Sequence, residues 1–227
     1  MTSISCPVYE ALAKVISRWG TREVFGLMSD DTALLVTTLD GLGVRFRGTR
    51  HETNALAMAE GYASATGEVA IGIIGRGPAT ANAILGAVQA LRSGSRVLLI
   101  FADSPNRMAV PNAMGPEQKS FSPAAVLQAA GLRTFTANDA TSARNVLAEA
   151  WRAAHRGAVA LLLPINVQHA MVDVASTDPG VPLAPPAAMQ PPRPASVRVA
   201  AALLANSTKP LIVAGLGAHP DGPQVPQ

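Results

Sequence analysis

Four short apolar runs punctuate the chain: VAIGIIG from Val69, VLLIFAD from Val97, AVALLLPI from Ala158 and PLIVAGLG from Pro210. Each is closed off by Gly, Pro or charge, the pattern of a strand covered on both faces in a parallel sheet. EVFGLM (23–28), VRFRGT (44–49) and RTFTA (133–137) are weaker strand candidates. Between these runs the spacing of apolar positions predicts helices over 7–19, 32–39, 52–66, 79–91, 123–130, 141–155 and 195–205. The first of them places Val8, Leu12, Val15, Ile16 and Trp19 on one stripe.

Strands and helices in alternation predict an α/β domain, a three-layer α/β/α arrangement with a mostly parallel six-stranded sheet and helices on both faces. Six such units fill residues 1–175. The following stretch, STDPGVPLAPPAAMQPPRP (176–194), holds seven prolines. Proline lacks the backbone N–H that helix and central strand need, so this segment is expected to be an extended linker. Residues 195–227 contain one helix, one strand candidate and a Gly/Pro tail. Such a pair has little partner surface for its apolar faces, and it is expected to open a second, incomplete domain.

Composition narrows the classes. Hydrophobic residues make up 48% of the 227 and charged residues 15%, with a net charge of +3. Lys and Arg do not cluster, since Arg45, Arg47 and Arg50 are separated by Phe46, Gly48 and Thr49. No nucleic-acid footprint results. A single cysteine, Cys6, excludes a disulfide framework and a Cys-based metal site, and makes the cytosol the expected compartment. No apolar run reaches the roughly 20 residues that span a bilayer, so no membrane association is expected.

Two stretches carry candidate chemistry. IGIIGRGPATANAILGAVQA is a strand, a glycine-rich turn and a helix, which together present backbone N–H groups and a positive helix end to a ligand. Gly75 and Gly77 permit close approach, Pro78 suits the first helical position, and Asn82 brings an amide near the helix start. The spacing lacks the third glycine of a dinucleotide fingerprint, and a purely structural turn remains an equal alternative. The other stretch, RHETNALAMAEGYASATG, contains His-Glu, but a zinc-binding helix needs a second His where Ala55 stands. Thr49 is expected to cap or lead into this helix, and Glu52 in the first turn meets the helix dipole. Ala55, Ala59 and Ala63 form a small-residue face suited to close helix contact or to an interface. His51, His155, His169 and His219 are expected to be surface or packing residues.

In order along the chain, VFG (24–26), RHETNALAMAEGYASATG, GRGPATAN, LLLPINVQ (161–168), the Pro-rich linker and KPLIVAGLGA resemble the N-terminal, pyrimidine-binding domain of thiamine diphosphate enzymes. The resemblance is to the acetolactate synthase and 2-oxoacid decarboxylase group, and it covers nearly the whole chain. It implies that Glu52 is catalytic: in this family that Glu hydrogen-bonds N1′ of the aminopyrimidine and favours the imino tautomer whose nitrogen removes the thiazolium C2 proton. It also implies that Gly26, Glu52, Gly75, Pro78, Asn82 and Gln118 line the cofactor site.

The same resemblance implies a 2-oxoacid as the small-molecule substrate and thiamine diphosphate as cofactor, its Mg²⁺ held by a domain whose Gly-Asp-Gly motif is not present in these residues. It implies a homodimer or tetramer, or a partner chain carrying that domain, and leaves FAD open. On this view the chain alone is incomplete and inactive. The alternative is a non-catalytic or separately encoded subunit that needs the partner chain. Two departures stand out: LMSDD (27–31) replaces the family's usual Pro-Gly, and Ala79 replaces the second Gly of Gly-Pro-Gly.

Overall fold

A computed structural model describes residues 5–106, 122–173, 191–213 and 215. The chain divides into two compact units, Met1–Ala184 and Pro185–Gln227. The first runs β1 (Ser5–Pro7), α1 (Val8–Arg18), β2 (Glu23–Gly26), α2 (Ala33–Gly41), β3 (Arg45–Gly48), α3 (Glu52–Thr66), β4 (Ala70–Ile74) and α4 (Pro78–Arg92). It continues with β5 (Val97–Asp103), α5 (Pro123–Ala129), β6 (Arg133–Thr136), α6 (Ala143–Ala154), β7 (Val159–Pro164), α7 (Ile165–His169) and β8 (Met171–Asp173).

Six strands form one sheet in the order β3-β2-β4-β5-β7-β6, and every pairing in it is parallel. The apolar runs from Val69, Val97 and Ala158 become its central strands because both faces are covered: every residue of β4 and β7 is buried. Side chains alternate between two cores. Ile71 and Ile73 join Leu12, Leu39, Leu147 and Trp151 of α1, α2 and α6, whereas Ala70 and Ile74 join Leu56, Ala87 and Leu127 of α3, α4 and α5. Trp19 stacks on Trp151 with ring centroids 4.6 Å apart, joining the end of α1 to α6. The three-layer α/β/α expectation holds, with the sheet wholly parallel.

The α3–α4 contact is the most extensive between helices among the described residues. A Cβ on Gly86 would lie 2.7 Å from Leu56 Cβ and 3.0 Å from the Thr53 carbonyl oxygen. Ala55, Ala59 and Ala63 are buried in one core with Ala83, Ala87 and Ala90. The small-residue face expected to serve an interface is therefore used inside the chain, where α3 packs on α4 and the sheet.

Periodicity missed three elements. β1 and β8 pair antiparallel, Cys6 opposite Val172, and α7 is a single short helix after Pro164. Strands of three residues carry no alternation to read, and their pairing joins the two ends of this unit. In the second unit α8 (Pro194–Ala205) forms with Pro194 at its start, and none of its residues is buried. Leu211, Ile212 and Val213 are exposed and outside any strand, contrary to the strand expected from Pro210, because no strand among the described residues of that unit pairs with them.

Candidate active site

The strand order creates the site. The chain passes from β2 outward to β3, then crosses back over β2 to β4, so its direction across the sheet reverses between β2 and β4. Crevices at such a reversal, outside the carboxyl ends of the strands, are where open α/β sheets bind ligands. The segments converging there follow β2, β3 and β4: residues 26–32, 49–52 and 75–78.

From β3 the chain enters α3 through a tied lead-in. Thr49 N–H and Oγ1 donate to the Gly26 carbonyl at 2.9 and 3.3 Å, and Oγ1 also reaches the His51 carbonyl at 2.9 Å. Of the two roles expected for Thr49, cap or lead-in, it takes the lead-in, and the cap of α3 is His51. With φ −156° and ψ 143°, its Nδ1 accepts from Thr53 N–H at 3.2 Å. Thr49 lies too early to reach the first-turn amides, whereas the residue directly before Glu52 is placed to do so.

Glu52 opens α3 with 7% of its surface exposed. Asn82 Nδ2, one turn into α4, donates to Glu52 Oε2 at 3.1 Å. The reciprocal tie is Thr53 Oγ1 donating to the Asn82 carbonyl at 2.5 Å. No ion pair reaches Glu52 among the described residues, and its Oε1 takes no hydrogen bond from them. The helix dipole and one neutral amide are the favourable partners of this buried carboxylate.

The remaining expected site residues fall around it. A Cβ on Gly26 would lie 2.5 Å from the Ile73 carbonyl oxygen and 2.9 Å from the Phe46 ring, and one on Gly75 would lie 2.7 Å from Ser29 Oγ. Both positions are glycine because neighbouring strands and loops press on them. Gly77, at φ 66° and ψ −125°, adopts a conformation that side chains resist, and Pro78 begins α4 directly after it. Gln118 lies outside the described residues. Gln168, from the LLLPINVQ stretch, is buried and donates to the Leu163 carbonyl at 3.0 Å, a structural tie.

Sequence reading did not foresee an ion pair at this crevice. Arg76 Nε donates to Asp31 Oδ1 at 2.7 Å, with side-chain exposures of 13% and 3%. Asp31 belongs to the LMSDD loop and Arg76 to the glycine-rich turn. The only signal in the sequence was an arginine set between two turn glycines. At the end of β5, burial pushes the Asp103 carboxyl up, opposed by a hydrogen bond from its neighbour Ser104 N–H and by the charge of Arg76.

Elsewhere His155 and His169 pack, and His219 lies outside the described residues. His155 stands edge-on to Trp151 and His169 to Tyr9, and burial, with Arg96 nearby, lowers the His155 pKa. Among the described residues no His, Cys, Asp and Glu side chains gather into a metal-holding group, and no helix is long and apolar enough to cross a membrane.

A parallel sheet with a buried carboxylate at its reversal point is the arrangement of a ligand-binding α/β domain. Residues 7–125 match the family described as thiamine pyrophosphate enzyme, N-terminal TPP binding domain, and the chain belongs to that family. Over 91 residues, 40% of this chain, it is 33% identical to 2-hydroxyacyl-CoA lyase 2 of Mus musculus, of which the match covers 14%. A probable 2-ketoarginine decarboxylase AruI of Pseudomonas aeruginosa is also 33% identical over 91 residues, 16% of its length. A probable sulfoacetaldehyde acetyltransferase of Rhizobium meliloti is 29% identical over 98 residues, 43% of this chain and 17% of that protein. The matched part thus spans less than a fifth of these relatives.

The residues present fit the cofactor that the family binds. Glu52 offers one carboxylate oxygen held by Asn82 and another not engaged by the described residues, and the chain is close-packed at Gly26 and Gly75, at the carboxyl ends of β2 and β4.

Proposed function

We propose that this chain supplies the aminopyrimidine-binding part of a thiamine diphosphate-dependent active site, in an enzyme that acts on a 2-oxoacid by decarboxylation or carboligation, as acetolactate synthases do. The observation that carries the proposal is Glu52. It is a buried carboxylate at a helix start, oriented by Asn82 through one oxygen, in the family whose members bind this cofactor. Burying an unpaired carboxylate is costly, and a binding role accounts for its position where packing does not.

When bound, thiamine diphosphate supplies a thiazolium carbon acid that acts as an electron sink. The chain's part is to bind and tune it. Glu52, oriented by Asn82, would hold the aminopyrimidine and offer it a carboxylate able to share a proton, a general acid–base role. Gly26, Gly75, Pro78 and Asn82 line the pyrimidine side, with Gln118 as a further candidate. The diphosphate and Mg²⁺ are held by a different domain, in a second copy or in a partner chain. Residues 1–175 form the pyrimidine-binding domain, 176–194 a linker and 195–227 the start of a central domain, in a cytoplasmic protein whose 227 residues alone are inactive. The relatives include a lyase, a probable decarboxylase and a probable acetyltransferase. That range supports the reaction class more strongly than any one substrate.

Glu52→Gln in the assembled enzyme tests the proposal. Proton exchange at the thiazolium C2 is expected to slow by about 10²–10⁴-fold, the usual worth of a positioned acid–base group. An unchanged exchange rate would overturn the assignment.

A further inference from the structure

We propose that Asp31 and Arg76 are positioning residues, a buried ion pair across the crevice that holds Asn82 against Glu52; this rests on the reading of Glu52 given above. Asp31 grips the turn ahead of α4 twice: Oδ1 takes Arg76 Nε at 2.7 Å, and Oδ2 takes the Arg76 backbone N–H at 3.4 Å. The same loop presses Ser29 onto Gly75, where no side chain would fit, and Ser29 Oγ is 3.2 Å from Thr32 Oγ1. The loop of residues 27–31 is thereby pinned to residues 75–76 by a charge pair and by contact.

That turn is what aims Asn82. Arg76 stands two residues before Pro78, the first residue of α4, and Asn82 follows one turn later. Asn82 is committed at both its side chain and its carbonyl, to Glu52 and to Thr53. A displacement of the turn would carry the start of α4 with it and pull the amide from the carboxylate. Stability alone is a weak reason for the pair, because apolar replacements of a buried ion pair are often as stable, whereas its directional bonds fix one register between two loops.

The test reads Asn82 directly by NMR in the 227-residue chain, without cofactor. Asp31→Asn and Arg76→Gln are each expected to move the Asn82 side-chain amide and Glu52 carboxyl resonances beyond the spread seen in Arg22→Gln. That control breaks an exposed ion pair with Glu68. Unmoved Asn82 and Glu52 signals beside a lowered melting temperature would overturn the proposal, leaving only a structural pair. If the neutral variants do not fold, Asp31→Glu and Arg76→Lys keep the charges but not the geometry. The same resonances must then move for the proposal to stand, and fixed resonances reject it. If Glu52→Gln leaves C2 exchange intact while these shifts persist, the cofactor role fails and the positioning role survives.

Discussion

Glu52 and Asn82 lie 30 residues apart in sequence and 3.1 Å apart in space, and a change of one atom type tests how closely they are coupled. Asn82→Asp places a second carboxyl where the amide donates. Two carboxylates at such a distance cannot both ionise freely, so one carboxyl of the pair is raised in the folded state. The native state then binds more protons than the unfolded state, and stability falls as pH rises through that raised value. Urea unfolding should show the variant losing most at about pH 8 and recovering toward the parent near about pH 5; a difference independent of pH would show that the two side chains do not meet. At this scale the sequence disclosed residue types but not their bonds. Glu52 was legible as a carboxylate in a first helical turn, whereas His51 as the cap depended on backbone angles that no spacing rule supplies.

Helix α6 carries the clearest local electrostatics among the elements. Asp139, ahead of its first turn, accepts from Thr141 Oγ1 at 2.6 Å, Ser142 N–H at 2.8 Å and Ser142 Oγ at 2.8 Å. These donors, the Thr141 hydroxyl foremost, lower its carboxyl from 3.8 to about 2. A depressed carboxyl stabilises the fold above its unfolded value and loses that contribution as pH falls through the folded value. Asp139→Ala should therefore destabilise the fold at neutral pH by less than about 1 kcal/mol, since these exposed bonds to a carboxylate are screened by solvent. Its denaturation midpoint should approach the parent's between about pH 4 and about pH 2. The helices were readable because each must bury a stripe, and the 3.6-residue period records that stripe locally. The partner of each stripe was not readable. The face of Ala55, Ala59 and Ala63 looked ready for another molecule, and only the approach of Gly86 to Leu56 shows it already filled.

For the whole molecule, the sheet order predicts an order of protection. Amides in β4, β5 and β7 lie between other strands and beneath helices on both faces, whereas β3 and β6 are edges. Of the four inner strands, β4, β5 and β7 should be the slowest in hydrogen exchange, opening only with global unfolding, because β2 has only the edge strand β3 on its outer side. Helix α8 has no buried residue, and isolated helices of about 12 residues are marginal in water; its amides should exchange within a small factor of unstructured peptide. Protection of α8 comparable to β5 would contradict this.

The alternation of strands and helices, the parallel sheet and the positions of its central strands were determined by the sequence alone, because burial on two faces writes a continuous apolar run wherever a strand must lie. The presence of Glu52 just after a strand and before a helix was likewise local information. Tertiary structure decided which groups meet. Glu52 finds Asn82, and Asp31 finds Arg76 at 45 residues' separation, because the crossover from β3 over β2 to β4 brings three strand ends to one crevice. β1 and β8 pair for a related reason: the folded domain brings its two ends together, and strands of three residues hold no periodicity that could announce it. Periodicity records what a segment must hide from water, while contacts between distant segments depend on strand order, which no short window of sequence contains.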